Sequence, residues 1–335
     1  MFVMNRAGVK MAGLRALHLL ALTQLLTVIA ASGAVPDYPT KPIRLIVGSA
    51  PGGPIDFSAR LAAQKLTEAL GQSVVVDNRT GAAGTIGTEY VAKSAPDGYT
   101  LLMASAATLC ITPNLYPKIP YDTLKDFAPI STVAAVSYVV VVHPAIAAQS
   151  VQEFIALAKA KPGQLRFGSA GSGSVTHLAV ELFRRMAGTE FVHVPYKGAG
   201  PAMIDLLGGQ LDFMFDSLLT SIPLVKAGRL RALAQTGAQR SVVLPDLPTI
   251  GETVLPGYDV STWFGLVAPA KTPRELIVKL NQAIVKGLGN AEIRERLLGQ
   301  GLEPIGNSPE AFSKLLREEL PKWAQVVKVS GAKVD

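Results

Sequence analysis

The sequence predicts an α/β protein made of two successive series of strands and helices. Three observations carry that expectation. After Lys41, short β-branched runs alternate with helix-period stretches along most of the chain. The alternation loosens over a Pro-containing stretch, 112–129, and then resumes with the same grammar. Hydrophobic residues make up 49% of the 335 and charged ones only 17%, enough for a large buried core and too apolar for a disordered chain.

Ile43–Val47 is the first expected strand, followed by a Gly/Pro loop and a helix from Asp56 to Leu70. Val74–Asp77 is the second, followed by a Gly-rich loop and a helix near 85–95. A third strand spans Tyr99–Ala104. Strand, loop and helix in this order predict a mostly parallel sheet. Beyond 112–129, Tyr138–Val142 is an apolar strand. The second series then places helices over 151–160, 175–187, 201–207 and 218–227. Its strands are Leu165–Gly168, Phe191–Val194, Leu211–Phe215 and Arg231–Gln235. Residues 241–258 are Pro-rich and irregular. Ser261–Val267 is a last strand, and the remainder is helical, with Pro273 in the first turn of a long helix.

Tyr138–Val142 and Ser261–Val267 are the expected crossings between two lobes. The first lobe is then discontinuous, residues 35–137 plus 259–335, and the second is 138–258. Two lobes joined by hinge strands enclose a cleft and can close on a ligand.

Residues 1–34 have a different character. Arg6, Lys10 and Arg15 precede any acid, an apolar run covers 16–31, and Ser32-Gly33-Ala34 supplies small residues for a cut after Ala34. This is the pattern of a secretory signal peptide, and the 16-residue run is short for a spanning helix. The expected location of the mature protein is the periplasm. The single cysteine, Cys110, allows no internal disulfide. Removing the three leader cations lowers the net charge from +7 to +4, and no Lys/Arg block occurs, which excludes a nucleic-acid footprint.

Chemistry-bearing motifs are mostly absent. There is no H-E-x-x-H, C-x-x-C, EF-hand loop, P-loop or G-x-S-x-G, so no metal or cofactor is expected. Gly81–Gly87 spaces its glycines G-x-x-G-x-x-G, which does not fit a dinucleotide fingerprint. His193 sits in a strand and is expected to be structural. Ser172 or Ser174 with His177 is the one arrangement that could suggest a hydrolase. It lacks an orienting acid and an oxyanion hole placed by motif.

One arrangement recurs four times: a strand, a Gly-rich loop and a helix start. The loops are Gly48–Asp56, Asn78–Thr85, Gly168–Ser174 and Pro195–Pro201. Such loops can converge backbone N–H groups on an anion, assisted by the helix dipole. Each could also be only a tight turn, with Asp56 an N-cap. Two loops in each series favour a shared cleft. The candidate ligand-binding residues are Ser49, Pro51, Gly52, Gly53, Asp56, Gly84, Thr85 and Ser105 from the first series. From the second they are Ser169, Gly171, Ser172, Gly173, Ser174, His177, Lys197, Gly198 and Asp216. Asp216 ends the strand Leu211–Phe215. It either caps the next helix with Ser217 or faces the cleft, where it would favour amino or hydroxy acids over citrate-like ones.

The ordered motifs resemble the Bug-type solute receptors of tripartite tricarboxylate transporters. They include Tyr38-Pro-x-Lys-Pro-Ile-Arg44, Pro51-Gly-Gly-x-x-Asp56, Val75-Val-Asp-Asn78-Arg79, Gly81–Gly87 and Pro96-Asp-Gly-Tyr-Thr100. They continue through Asp126-Phe-Ala-Pro-Ile130, Gly168–Ser174 with His177, Val194-Pro-Tyr-Lys-Gly198, Leu207-Gly-Gly-Gln-Leu-Asp212 and Trp263. The resemblance implies a type II periplasmic-binding-protein fold closing on a small carboxylate and a separate membrane permease as partner. It also implies a binding protein, not an enzyme. A monomer is expected. A periplasmic sensor is the alternative role. Gly48 and Ser49 stand where the family usually has Pro-Phe, and Ile55 where it has Thr, so the implied aromatic wall is missing.

Overall fold

The computed structural model describes residues 38–331, so the expected signal peptide lies outside the described residues. The chain divides into two units, Met1–Thr40 and Lys41–Asp335, and every strand and helix from Ile43 onward belongs to the second. Among the described residues no helix is long and apolar enough to cross a membrane.

The first series forms as its apolar runs require. Strands β1 (Ile43–Val47), β2 (Val74–Asn78) and β3 (Thr100–Ser105) lie parallel in the order β2-β1-β3. Helix α1 (Pro54–Leu70) starts at a proline, which needs no N–H partner there, and stops at left-handed Gly71. Its apolar residues, among them Leu61, Ala62 and Leu66, are buried. Helix α2 (Thr85–Ala92) follows β2. The backbone then widens into a π turn, Ala107–Ile111, continued by the short helix α3 (Thr112–Leu115).

Strand β4 is the structural departure from the sequence reading. It runs 16 residues, Phe127–Val142, and the expected Tyr138–Val142 is only its end. Pro129 and two register shifts, at Pro129/Ser131 and Thr132/Ala134, hide the first part by breaking the two-residue period. Up to Ser137 it pairs antiparallel with β9 (Ser261–Pro269) and with β10 (Leu302–Pro304). From Tyr138 it pairs with β7 (Phe213–Ser217) and β8 (Arg231–Gln235) in a second sheet. There β5 (Arg166–Ser169) lies parallel to both β6 (Val192–Pro195) and β7. The sheets are therefore mixed, not mostly parallel, because β4 and β9 run against their neighbours.

Ser261–Val267 is not the second crossing, since Ser261 already pairs with Ser137 in the first sheet. Thr236 and Val260 are tied to each other and to the start of the second sheet at Tyr138. Thr236 donates its N–H to the Tyr138 carbonyl at 3.0 Å, and Val260 donates to Thr236 at 2.8 Å. The Thr236 hydroxyl closes the joint on the Val260 carbonyl at 2.6 Å.

The second series carries helices α4 (Val151–Ala160), α5 (Val175–Ala187), α6 (Ala199–Leu207) and α7 (Leu218–Lys226). A short α8 (Ile250–Thr253), with a capping box between Thr249 and Glu252, interrupts the irregular Pro-rich segment. The tail holds α9 (Arg274–Leu288), for which Pro273 is the cap and not a first-turn residue, then α10 (Ala291–Leu298), β10 and α11 (Pro309–Ser330). Helix α11 packs on α5 as well as on β4 and the π turn. One buried cluster accordingly runs from Ile46 and Leu102 through Val140 to Phe167, Phe213 and Trp323.

Candidate functional site

The carboxyl ends of β1, β2 and β3 border a cavity of about 470 Å³. Gly48, Ser49 and Ala50 contribute from the first loop, Ile55 from the start of α1, and Thr80, Gly81, Ala83 and Gly84 from the second loop. Thr88, Leu102, Met103, Ser105, Ala107, Thr108 and Phe264 complete the wall. Loops at the carboxyl edge of parallel strands meet here because each chain must turn into its following helix.

The second loop is the most unusual backbone of the site. Gly81, Ala82, Ala83 and Gly84 all have positive φ, at 122°, 44°, 54° and 87°. For the two alanines this left-handed turn costs about 1–2 kcal/mol each. The N–H groups of Gly81, Ala82 and Ala83 make no hydrogen bond among the described residues, whereas Gly84 donates back to Gly81 and Thr85 to Ala82. A left-handed run of this kind forms a concave nest of donors suited to an anion.

Asp56 is not a cap and does not line the cavity. The cap position of α1 is Gly53, and Asp56 lies in the first turn with a fully buried carboxylate. It accepts from the Gly52 N–H at 3.0 Å, from Arg60 at 2.9 and 3.1 Å, and from the Asn78 amide at 2.9 Å. Asn78 also donates to the Ser49 carbonyl at 3.0 Å. Burial pushes the carboxyl upward, but Arg60, the Gly52 N–H and Asn78 outweigh it and hold Asp56 below its ordinary value. Asp56 thus fastens the first loop to the end of β2. Pro51 and Gly52 are exposed at the loop tip, and Thr85 turns its hydroxyl onto the Ala82 carbonyl.

The loop Gly168–Ser174 is closed on itself. Ala170 N–H donates to the Thr176 hydroxyl, Gly171 N–H to Ser169 Oγ, and Gly173 N–H to His177 Nδ1, all within 3.1 Å. Ser174 caps α5 and accepts from the His177 N–H. The expected donors of this loop are therefore spent, and Ser172 alone keeps its groups unbonded among the described residues. His177 stacks on His193 at 4.0 Å between ring centroids, and Ser169 Oγ lies 2.7 Å from His193 Nε2. Burial, and for His177 also the neighbouring ring of His193, pushes both imidazoles down to about 4, so both are neutral at pH 7. A Ser174–His177 dyad is not assembled. Ser169, which does meet a histidine, is fully buried and offers no nucleophile.

Asp216 is buried at the end of β7, and Ser217 is the residue that caps α7. The Asp216 carboxylate accepts from the hydroxyls of Thr220 and Ser221, so it serves the first turn of α7 without being its cap. Burial raises its pKa, opposed by those two hydroxyls and the Ser217 N–H. Neither Asp216 nor exposed Lys197 borders the cavity; Gly198 caps α6 and donates to the Ala170 carbonyl at 3.2 Å.

Of the sequence candidates, Ser49, Gly84 and Ser105 line the cavity together. Thr80, Ala83, Thr88, Ala107, Thr108 and Phe264 were not expected. Thr80 and Ala83 sit inside a loop that was singled out. Phe264 could have been found from β alternation, because its neighbour Trp263 points into the core on the opposite face, against Phe312. Among the described residues no cluster of His, Cys, Asp and Glu could hold a metal ion.

Residues 58–332 match the family described as the tripartite tricarboxylate transporter family receptor. Protein BugT of Bordetella pertussis is 40% identical over 307 residues, covering 91% of this chain and 94% of BugT. Among solved structures, R. palustris Rpa4515 with adipate is 38% identical with a TM-score of 0.78, covering 89% of this chain and 100% of that one. The periplasmic binding protein BugD is 34% identical with a TM-score of 0.74, over 88% and 99% of the two chains.

Proposed function

The chain belongs to the tripartite tricarboxylate transporter receptor family, and from that premise we propose that it captures a small carboxylate in the periplasm and delivers it to a membrane permease. Its fold is that of the periplasmic binding proteins, two α/β lobes joined by hinge strands. The observation that supports the carboxylate is the left-handed turn Gly81–Gly84: Gly81, Ala83 and Gly84 line a cavity without any cationic side chain, and the N–H groups of Gly81 and Ala83 are unbonded among the described residues. Charge-assisted bonds to such donors contribute about 1.5–3 kcal/mol each, enough in combination for roughly micromolar binding after association costs. Adipate in the R. palustris relative agrees with a carboxylate ligand.

The boundaries we propose for the lobes are 35–137 with 259–335, and 138–258. The change of partners in β4 between Ser137 and Tyr138 supports the first of them, and the Thr236–Val260 joint the return. The role is binding without chemistry, as in the related binding proteins, and the committed hydrogen bonds of Ser174 and His177 agree with it.

A melting-temperature screen against mono-, di- and tricarboxylates and their methyl esters tests the reading, since a ligand bound only by the native state raises the melting point. Free acids should raise it and esters should not. If esters stabilised equally, the carboxylate would not be the anchor. Small-angle scattering with a stabilising acid should show a smaller radius of gyration, and an unchanged radius would count against two closing lobes.

A further inference from the structure

We propose that Tyr121, which does not border the cavity, is a positioning residue of the ligand site: through Thr108 it sets the turn Gly81–Gly84 that presents the N–H donors. The inference rests on the receptor reading only for what the turn binds. The chain of contacts starts at Gly84. A methyl group there would stand 2.8 Å from Thr108 Cγ2, so the Thr108 side chain packs against the bare Cα of Gly84. The Thr108 hydroxyl is held at the end of β3. It accepts from the Ser105 N–H at 3.2 Å, and Ser105 Oγ accepts from the Thr108 N–H at 3.2 Å. These reciprocal bonds fix the Thr108 rotamer with its methyl on the turn.

Thr108 itself stands on the π turn Ala107–Ile111, where the sequence leaves its carbonyl short of a partner. In that turn the Thr112 N–H reaches back to the Ala107 carbonyl. The next donor in the same pattern would belong to Pro113, which has no N–H. Tyr121 supplies what Pro113 lacks: its hydroxyl donates to the Thr108 carbonyl at 2.5 Å. The Tyr121 ring is buried and meets Phe127 edge-on at 5.9 Å, which leaves the hydroxyl little freedom. A carbonyl facing a buried ring and left unpaired is costly, so losing this bond shifts the π turn and the Thr108 methyl with it. Thr123 does the same for the neighbouring carbonyl, donating to Leu109 at 2.6 Å. Leu109, however, does not line the cavity.

That difference supplies the test. Tyr121→Phe removes the hydroxyl and keeps the ring against Phe127. Thr123→Val removes the equivalent bond from a carbonyl whose residue does not touch the turn. Both variants should lower the melting temperature. Only Tyr121→Phe should move the amide resonances of Gly84 and Thr85 in the ligand-free protein. In calorimetric titration with adipate, the acid with which the R. palustris relative was solved, it alone should weaken binding, by about fivefold or more. Thr108→Ser keeps the hydroxyl bonds but takes the methyl off Gly84, and should reproduce that loss. Native resonances and native affinity in Tyr121→Phe would overturn the inference. Equal shifts in Thr123→Val would overturn it too, since the effect would then be a general loosening of the π turn. If the native protein binds no mono-, di- or tricarboxylate, the receptor reading fails, while the resonances recorded without ligand still decide whether Tyr121 sets the turn.

Discussion

Gly48 lies against the backbone of Gly84: a methyl group on residue 48 would stand 2.9 Å from the Gly84 carbonyl oxygen and 3.0 Å from its Cα. The first and second loops touch backbone to backbone at this point, and both line the cavity. Gly48→Ala should therefore force the loops apart, at a cost of about 1–3 kcal/mol for overpacking. Because the Gly84 carbonyl also holds Thr88, the shift reaches the turn that presents the donors. Urea denaturation should show the lower stability, and titration with a stabilising carboxylate should show weaker binding. Unchanged values in both would mean that the loops separate freely.

Ala82 and Ala83 adopt a conformation that suits glycine. Ala83→Gly relieves about 1–2 kcal/mol of strain and gives back about 0.4–1 kcal/mol through a freer unfolded chain. The expected result is a melting temperature equal to or above that of the native protein. In helix α1 the same change at Ala59 should lower it, since glycine in a helix costs about 1 kcal/mol. A clear drop for Ala83→Gly would show that the methyl group packs usefully.

The buried Asp216 carboxylate should not select the ligand, because it is bonded to Thr220 and Ser221 and does not border the cavity. Its pKa is raised by burial, so its contribution to stability is greatest below the ordinary carboxylate range and is lost as pH rises through the folded value. Asp216→Asn removes that dependence and keeps an oxygen to accept from the two hydroxyls. At pH 7 the variant should be at least as stable as the native protein, with the same ranking of amino, hydroxy and citrate-like acids. A switch toward more anionic ligands would return Asp216 to the role of selector.

The stacked His177–His193 pair makes the second sheet sensitive to acid. Both folded pKa values are depressed from 6.5 to about 4, so the unfolded chain binds more protons between those values. Their contribution is complete above about pH 6.5 and falls away as the pH drops toward 4, by on the order of 2 kcal/mol. Urea midpoints at pH 7.5 and 4.5 should differ less for a His177→Gln, His193→Gln double variant than for the native protein. Parallel losses in the two proteins would assign the acid sensitivity to carboxylates elsewhere.

What the sequence determined by itself is local. Alternating β-branched runs and helix-period stretches specify strands and helices wherever one face is buried, and β1, α4, α5 and β8 fall where they were expected. Gly-rich runs after strands mark turns, because glycine is the residue that reaches positive φ without cost. The class of protein followed from the order of many such motifs. Tertiary structure decided the rest. The first two-thirds of β4 carry Pro129 and bulges that no periodicity reveals, and only pairing with β9 makes them a strand. Four Gly-rich loops looked alike, yet Gly168–Ser174 spends its donors on Ser169, Thr176 and His177, while Gly81–Ala83 keeps its own free. Asp56 and Asp216 likewise looked available, and each is absorbed by its neighbours, Asp56 by Gly52, Arg60 and Asn78, Asp216 by Thr220 and Ser221. Whether a polar group faces a ligand depends on which partners the packed chain brings within 3 Å, and those partners come from residues a linear pattern does not rank.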